Sequence, residues 1–205
     1  EKTIGTLSDY TCFSFQAIKH LTTGDGGAVC TKTADQEAEA RRRRWFGIDR
    51  DRDQASWGFD RVFKIPIIGY KYHMNNFAAA LGLANIVTIH ERLDRRRAIA
   101  EQYRTAFANT AGLKPFTYSD TCKASYFMFG IHVERRADFV TAMRGRNVPV
   151  TNVNFRIDTN PILGGRRDDL ANQARFDESQ TNLPCHEGLT DEQVDYIIAS
   201  VKQGW

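Results

Sequence analysis

A mixed α/β chain built in two parts is predicted by three features of the sequence. Residues 10–15, Tyr-Thr-Cys-Phe-Ser-Phe, and residues 27–31, Gly-Ala-Val-Cys-Thr, read as strands on either side of a glycine-punctuated loop. A long helical pattern begins near Asn75–Asn76. Beyond it the pattern changes to short strands and helices in α+β order. The boundary falls near residue 90, which gives domains over residues 1–90 and 91–205.

The elements follow in order. Residues 16–26, between the two strands, carry glycines that permit positive φ, so they form a tight shaped loop. A polar helix covers residues 35–45. Residues 47–72 read as an irregular excursion punctuated by Gly47, Gly58, Pro66 and Gly69, with Ile65-Pro66-Ile67-Ile68 a short buried strand or turn. In the long helix, Phe77, Leu81, Ala84 and Val87 share one face, and Ile99, Tyr103 and Phe107 resume it. Continuous to Ala108, it would run about 50 Å. Such a helix bridges domains or bends near His90, and Gly112 stops it. Residues 126–133 alternate, with Phe127, Phe129, Ile131 and Val133 on one face. Residues 136–144 form a helix that turns Phe139, Val140 and Met143 inward, and Gly145 ends it. Residues 148–155 read as a further strand. Thr190-Asp191-Glu192-Gln193 is a capping box, and Val194, Ile197, Ile198 and Val201 form the inward stripe of the closing helix.

Composition narrows the class. The 205 residues are 41% hydrophobic and 26% charged, which excludes disordered and collagen-like chains, and 13 Phe with 7 Tyr supply core material. Lys plus Arg number 28 against 25 Asp plus Glu. The resulting charge of +3 allows an anionic ligand but is no nucleic-acid footprint. A basic nucleic-acid-binding domain is therefore disfavoured. Arg41–Arg44 and Arg95–Arg97 read as solvated helix faces paired with nearby acids. No apolar run approaches the roughly 18 residues of a membrane helix, and no signal pattern opens the chain, so the reading is cytoplasmic with no membrane partner. Cys12, Cys30, Cys122 and Cys185 are too widely spaced for a zinc ladder and read as reduced thiols of the core. The five His are scattered, and no metal is expected. The start, Glu1-Lys2-Thr3-Ile4-Gly5, has no Met and no entry element, as in a piece of a longer chain.

The loop carries the chemistry. Lys19 lies between a strand end and a glycine-rich turn, held by backbone on both sides. A lysine partly desolvated beside other cations gives up its proton more readily, and the neutral amine condenses with a carbonyl. Ser14, five residues earlier at the strand end, is placed to donate to a phosphate. Taken alone, any single lysine is a surface charge by default. The surrounding string is more specific.

Residues 14–27, Ser-Phe-Gln-Ala-Ile-Lys-His-Leu-Thr-Thr-Gly-Asp-Gly-Gly, resemble a motif of the DegT/DnrJ/EryC1/StrS sugar aminotransferases. That family uses pyridoxal 5'-phosphate (PLP) on an aspartate-aminotransferase-like fold. Four more stretches match in order: Arg42-Arg43-Arg44-Trp45-Phe46-Gly47-Ile48, the Gly69-Tyr70-Lys71-Tyr72-His73-Met74 segment with its following helix, Leu93-Asp94-Arg95-Arg96-Arg97 with Tyr103, and Asn182-Leu183-Pro184 with Gly188-Leu189-Thr190. The likeness runs from residue 1 to about residue 202.

The resemblance implies part of a fold-type-I large domain joined to a small α+β C-terminal domain. It gives Lys19 the covalent cofactor bond and the catalytic proton transfer, and Ser14 a cofactor-phosphate contact. The loop over residues 69–76 resembles one that reaches the partner's cofactor phosphate across a homodimer, a contact falling to Lys71, His73 or Asn75. The family often has Asn at the place of Lys71, Asn or Arg at that of His73, and His at that of Gln16. Arg156 corresponds to a substrate-approaching loop. A dehydratase branch replaces the lysine by His, so Lys19 favours transamination. The implied substrates are an amino acid, commonly glutamate, and a nucleotide-linked keto sugar. The family's other cofactor contacts, including the Asp that pairs the pyridine nitrogen, lie upstream of the matched region, so the chain is expected to be the C-terminal half or somewhat more of such an enzyme. The alternative is a non-catalytic remnant that dimerises through the long helix without cofactor. Trp45, Trp57, Tyr70 and Tyr72 read as packing residues.

Overall fold

Strand β1 (Tyr10–Ser14) runs antiparallel to β2 (Gly27–Thr31), with Tyr10 opposite Thr31 and Ser14 opposite Gly27. The computed structural model describes residues 3–50 and 64–205; Trp57 and Gly58 lie outside them. The chain divides into two compact units, Glu1–Ile89 and His90–Trp205.

In the first unit, helix α1 (Ala34–Arg44) is fixed at both ends by its own sequence. Thr33 accepts from the Gln36 amide while Gln36 accepts from the Thr33 amide, a capping box. Asp35 and Glu37 sit in the first turn and four arginines in the last, each matched in sign to the helix dipole. Helix α2 (Asn76–Ile86) starts at Asn75, whose side chain accepts from the Ala78 amide at 2.9 Å.

Of the two alternatives for the long helical stretch, the break near His90 is the one found, and it makes two helices. A turn at Val87 and Thr88 separates α2 from α3 (Ile89–Phe107). Residues 86–89 are Ile-Val-Thr-Ile, a β-branched run that is poor at sustaining a helix. The shared apolar face of α2 is not buried. Phe77, Leu81, Ala84 and Val87 are all exposed, Phe77 by 90%. Because α2 is apolar on every side, its periodicity cannot single out one buried face. Ile65 and Ile68, expected to be buried, are exposed as well.

The second unit contains α3, β3 (Leu113–Pro115), β4 (Phe129–Val133), α4 (Arg136–Gly145), α5 (Ala171–Ser179), β5 (Gln180–Leu183) and α6 (Asp191–Lys202). Its antiparallel sheet has the order β3-β4-β5, with Leu113 opposite Val133 and Phe129 opposite Leu183. Ile99, Tyr103 and Phe107 of α3 close on Phe129, Ile131, Phe139, Met143, Val194 and Val201, forming the core. The expected capping box at Thr190 opens α6.

Four expectations change here. Strand β4 begins at Phe129 rather than residue 126, because Tyr126 takes a left-handed φ of 48° that a strand does not adopt. Residues 148–155 form no strand and contribute only the bridge from Thr151 to Asn182. The place beside β4 goes to β5, which is buried throughout despite the polar residues Gln180, Thr181 and Asn182. Their side chains donate to carbonyls of the segment expected to be the strand: Thr181 and Asn182 to Thr151 O, and Gln180 Nε2 to Asn154 O, while Gln180 Oε1 is buried without a partner among the described residues. Finally, Arg96 is not on a solvated face. It is 6% exposed, pairs with Glu187 at 2.8 Å and donates to the carbonyls of Phe127 and Cys185. Of the four free thiols only Cys185 is buried; Cys12, Cys30 and Cys122 are exposed, contrary to a core role.

Candidate active site

The loop after β1 is closed by backbone. The Phe15 amide donates to Gly26 O at 2.8 Å and the Thr23 amide to Phe15 O at 2.9 Å. Within it the Lys19 amide donates to Gln16 O at 2.9 Å, and the Ile18 amide to Gln16 Oε1 at 3.0 Å. Helix α2 pins the loop from outside, Asn85 Nδ2 donating to Thr22 O at 3.0 Å. Lys19 is therefore a half-buried side chain on a braced backbone. Ser14 stands exposed at the end of β1, where its Oγ accepts from the Gln16 amide at 3.4 Å.

A second loop, residues 69–75, docks on the C-terminal end of α1. The Tyr70 amide donates to Arg43 O at 2.7 Å and the Tyr72 amide to Arg44 O at 2.9 Å, which caps carbonyls that a helix end leaves open. The Phe46 amide returns a bond to Tyr70 O at 3.1 Å. At the crossing the two backbones are too close for side chains. A Cβ at Gly69 would lie 2.0 Å from Gly47 N, and one at Gly47 would lie 2.0 Å from Ile67 O. Gly47 also takes a φ of 83°. The two loops approach each other at Met74, whose Cε would be 3.0 Å from a Cβ placed on Gly26.

Lys71 is exposed and bridges to Trp45 through backbone. Asn75 is engaged as the cap of α2 through Oδ1. The His73 ring meets Trp45 edge-on with centroids 3.8 Å apart, and its Nδ1 is buried with no hydrogen-bond partner. Burial, then the charges of Lys71, Arg44 and Arg50, push its pKa below the ordinary histidine value. Beside it lies a cavity of about 350 Å³ lined by residues that include Arg44, Trp45, Asp49, Arg50, His73 and Asn75.

Arg156 belongs to the second unit and is 4% exposed. Its Nε and Nη2 donate to the two carboxylate oxygens of Asp158 at 2.9 and 2.5 Å, and Nη2 also donates to Arg167 O at 2.8 Å. Hydrogen bonds from Arg156 and the Arg167 amide hold the Asp158 carboxyl well below the usual carboxylate range. The guanidinium expected to meet substrate is thus engaged by its own loop.

Sequence reasoning passed over Trp45, Arg44 and Arg50 as parts of a site. One signal was available: Arg41, Arg44 and Trp45 follow the i, i+3, i+4 spacing of one helix face, whereas Arg43 falls on another and pairs with Glu39 at 2.7 Å.

The model of the DegT/DnrJ/EryC1/StrS aminotransferase family matches residues 1–202. The chain belongs to that family. It is 27% identical to GDP-perosamine synthase of Caulobacter vibrioides, over 98% of this chain and 54% of that protein. Among solved structures, sugar aminotransferase CalS13 of Micromonospora echinospora superposes with a TM-score of 0.90 at 27% identity, covering 98% of this chain and 54% of that one. Spr1654 of Streptococcus pneumoniae in its PLP form gives 0.84 at 26% identity, covering 98% and 52%. The chain therefore has the fold-type-I architecture of these PLP-dependent transferases, and it spans about half the length of the curated relatives it matches. No helix among the described residues is long and apolar enough to cross a membrane.

Proposed function

We propose that the chain supplies the reactive lysine and a phosphate-facing loop to a PLP-dependent aminotransferase. The enzyme moves an amino group from an amino acid to the keto group of a nucleotide-linked sugar, and works as a homodimer with shared sites. The observation that carries this reading is Lys19 itself, a half-buried amine on a loop braced from β1, β2 and α2.

The residues present fit the cofactor chemically. An amine at Lys19, a hydroxyl at Ser14, and an imidazole whose buried Nδ1 lacks a partner are what an aldehyde and a phosphate ester require. When bound, PLP supplies an electron sink for the substrate carbon. Lys19 would hold the cofactor through its Nζ and, once the incoming substrate amine has replaced it there, the freed amine would take and return the proton at the substrate carbon. Ser14 Oγ donates to the phosphate from its own chain. Lys71, His73 and Nδ2 of Asn75 serve the phosphate of the partner's site. Arg156 acts on substrate only through its loop, because Asp158 occupies its guanidinium.

The test is to incubate the chain with PLP, reduce with borohydride and locate the adduct by peptide mass spectrometry. The expected adduct lies on the peptide containing Lys19 and disappears in Lys19→Ala. Labelling spread over surface lysines, unchanged in that variant, overturns the reading.

A further inference from the structure

Helix α2 buries its small side chains and exposes its large ones. Phe77, Leu81 and Leu83 are exposed, whereas the half-buried positions are Ala78, Ala79, Gly82 and Asn85, at i, i+1, i+4 and i+7 of one face. That face meets the loop of Lys19. A Cβ placed on Gly82 would lie 2.8 Å from Thr23 Cγ2. Thr23 has no room to yield: it is 6% exposed, its amide donates to Phe15 O at 2.9 Å, and its hydroxyl donates to Asp25 O at 2.9 Å. Glycine is unfavourable in a helix interior, and what it permits here is this close approach. Three residues on, Asn85 is the one polar side chain of residues 77–86, and its Nδ2 donates to Thr22 O at 3.0 Å. The Thr22 hydroxyl oxygen in turn accepts from the Gly24 amide at 3.0 Å. One turn of α2 therefore grips Thr22 and Thr23, just beyond Lys19-His20-Leu21, while the near side of the lysine is tied by its own amide to Gln16 O.

We infer that Gly82 and Asn85 are positioning residues for Lys19, acting through Thr22 and Thr23 to fix where its amine stands. A lysine side chain is long and rich in rotamers, so its tip is placed only when its root is held. An amine that adds to a carbonyl needs a narrow range of distance and approach, and a misplacement of about 1 Å costs on the order of a hundredfold in rate. Neither Gly82 nor Asn85 is assigned any contact with cofactor or substrate. The inference rests on the proposed function for what the amine does, but not for the clamp that places it.

The experiment methylates the lysines of the whole chain with isotope-labelled formaldehyde and borohydride, then records the methyl signals by NMR. Lys19→Ala identifies the Lys19 signal. In the parent that signal is expected apart from those of exposed lysines such as Lys114, and it should move to their position in Asn85→Ala and in Gly82→Ala. Asn85→Gln, which keeps the amide donor, should retain the separate signal, and so should Ala84→Ser on the exposed face. Asn85→Ala removes a single hydrogen bond and keeps the test readable should Gly82→Ala unfold the unit. A merely structural role would lower the urea midpoint without moving a Lys19 signal recorded in the absence of urea. A Lys19 signal already at the exposed position in the parent, or one unmoved in both variants, overturns the proposal. The PLP adduct is read separately after borohydride trapping. Its rate at Lys19 should fall about tenfold in Asn85→Ala and stay within about twofold in Ala84→Ser. A signal that moves while the adduct rate is unchanged also overturns the positioning role. No adduct in the parent, with the Lys19 signal still responding to Asn85→Ala, fails the cofactor reading alone.

Discussion

The imidazole of His73 meets the indole of Trp45 edge to face, its ring flanked by the charges of Lys71, Arg44 and Arg50. Burial and those cations favour the neutral ring. His132 in the second unit is lowered in the same direction by burial and Lys114. For both, the folded chain binds fewer protons than the unfolded chain near the ordinary value of 6.5. Stability therefore rises with pH through that region and is lost as pH falls below it. Proton NMR should show both rings titrating below 6.5, and His73→Gln should flatten the dependence of the urea midpoint between about pH 7.5 and 5.5. An imidazole titrating above the ordinary value would contradict the arrangement.

The clasp between Arg156 and Asp158 gives a dependence of the same sign in a more acidic range. Asp158 has a depressed carboxyl pKa, so its contribution is full above the unfolded aspartate value and disappears as pH falls through the folded one. Asp158→Asn should lower the urea midpoint at pH 7 by stranding a guanidinium whose side chain is 3% exposed. The double variant with Arg156→Met should recover part of the loss. A midpoint unchanged in Asp158→Asn would show that the loop does not depend on the pair.

Packing in the second unit sets the largest stability effects. Phe139 is fully buried against Trp205, with ring centroids 4.9 Å apart. Phe139→Ala should cost about 3–5 kcal/mol. Thr190→Ala removes one half of a capping box and should cost about 1 kcal/mol. Chemical denaturation measures both, and a larger loss from the cap than from the core would reverse the argument.

Helix α2 predicts self-association. Phe77, Leu83 and Val87 are exposed by 90%, 71% and 78%, an apolar surface that water does not favour. Sedimentation velocity at micromolar concentration should show species larger than the monomer, and Phe77→Lys with Val87→Lys should shift them toward monomer. A monomeric parent chain removes this face as an interface.

Legibility followed the kind of signal available. Both strands of the first unit and the capping box at Thr190 were readable because alternation and caps act over a few residues. Strand β5 was not, since Gln180-Thr181-Asn182 looks like loop until the Thr151 and Asn154 carbonyls that accept from its side chains are in place. The same holds at the candidate site. Lys19 stood out through its flanking glycines and threonines, all within one short string. Arg44, Arg50 and His73 are brought together only when residues 69–75 fold back onto the end of α1. Arg96 looked like one of three solvated arginines because its partners, Phe127, Cys185 and Glu187, are about 30 to 90 positions away.

The crossing of Gly47 and Gly69 bears on how this site can diversify. A methyl group on either would enter the other strand's backbone, so the route of the loop is set by two residues that have no side chain. The phosphate contacts proposed for its tip, by contrast, fall to Lys71 and His73, which lie beyond the two glycines. Path and reactivity are thereby uncoupled. Exchanging the tip residues can retune which anion is preferred without rebuilding the scaffold, whereas changing either glycine alters the route before any change in preference can be expressed.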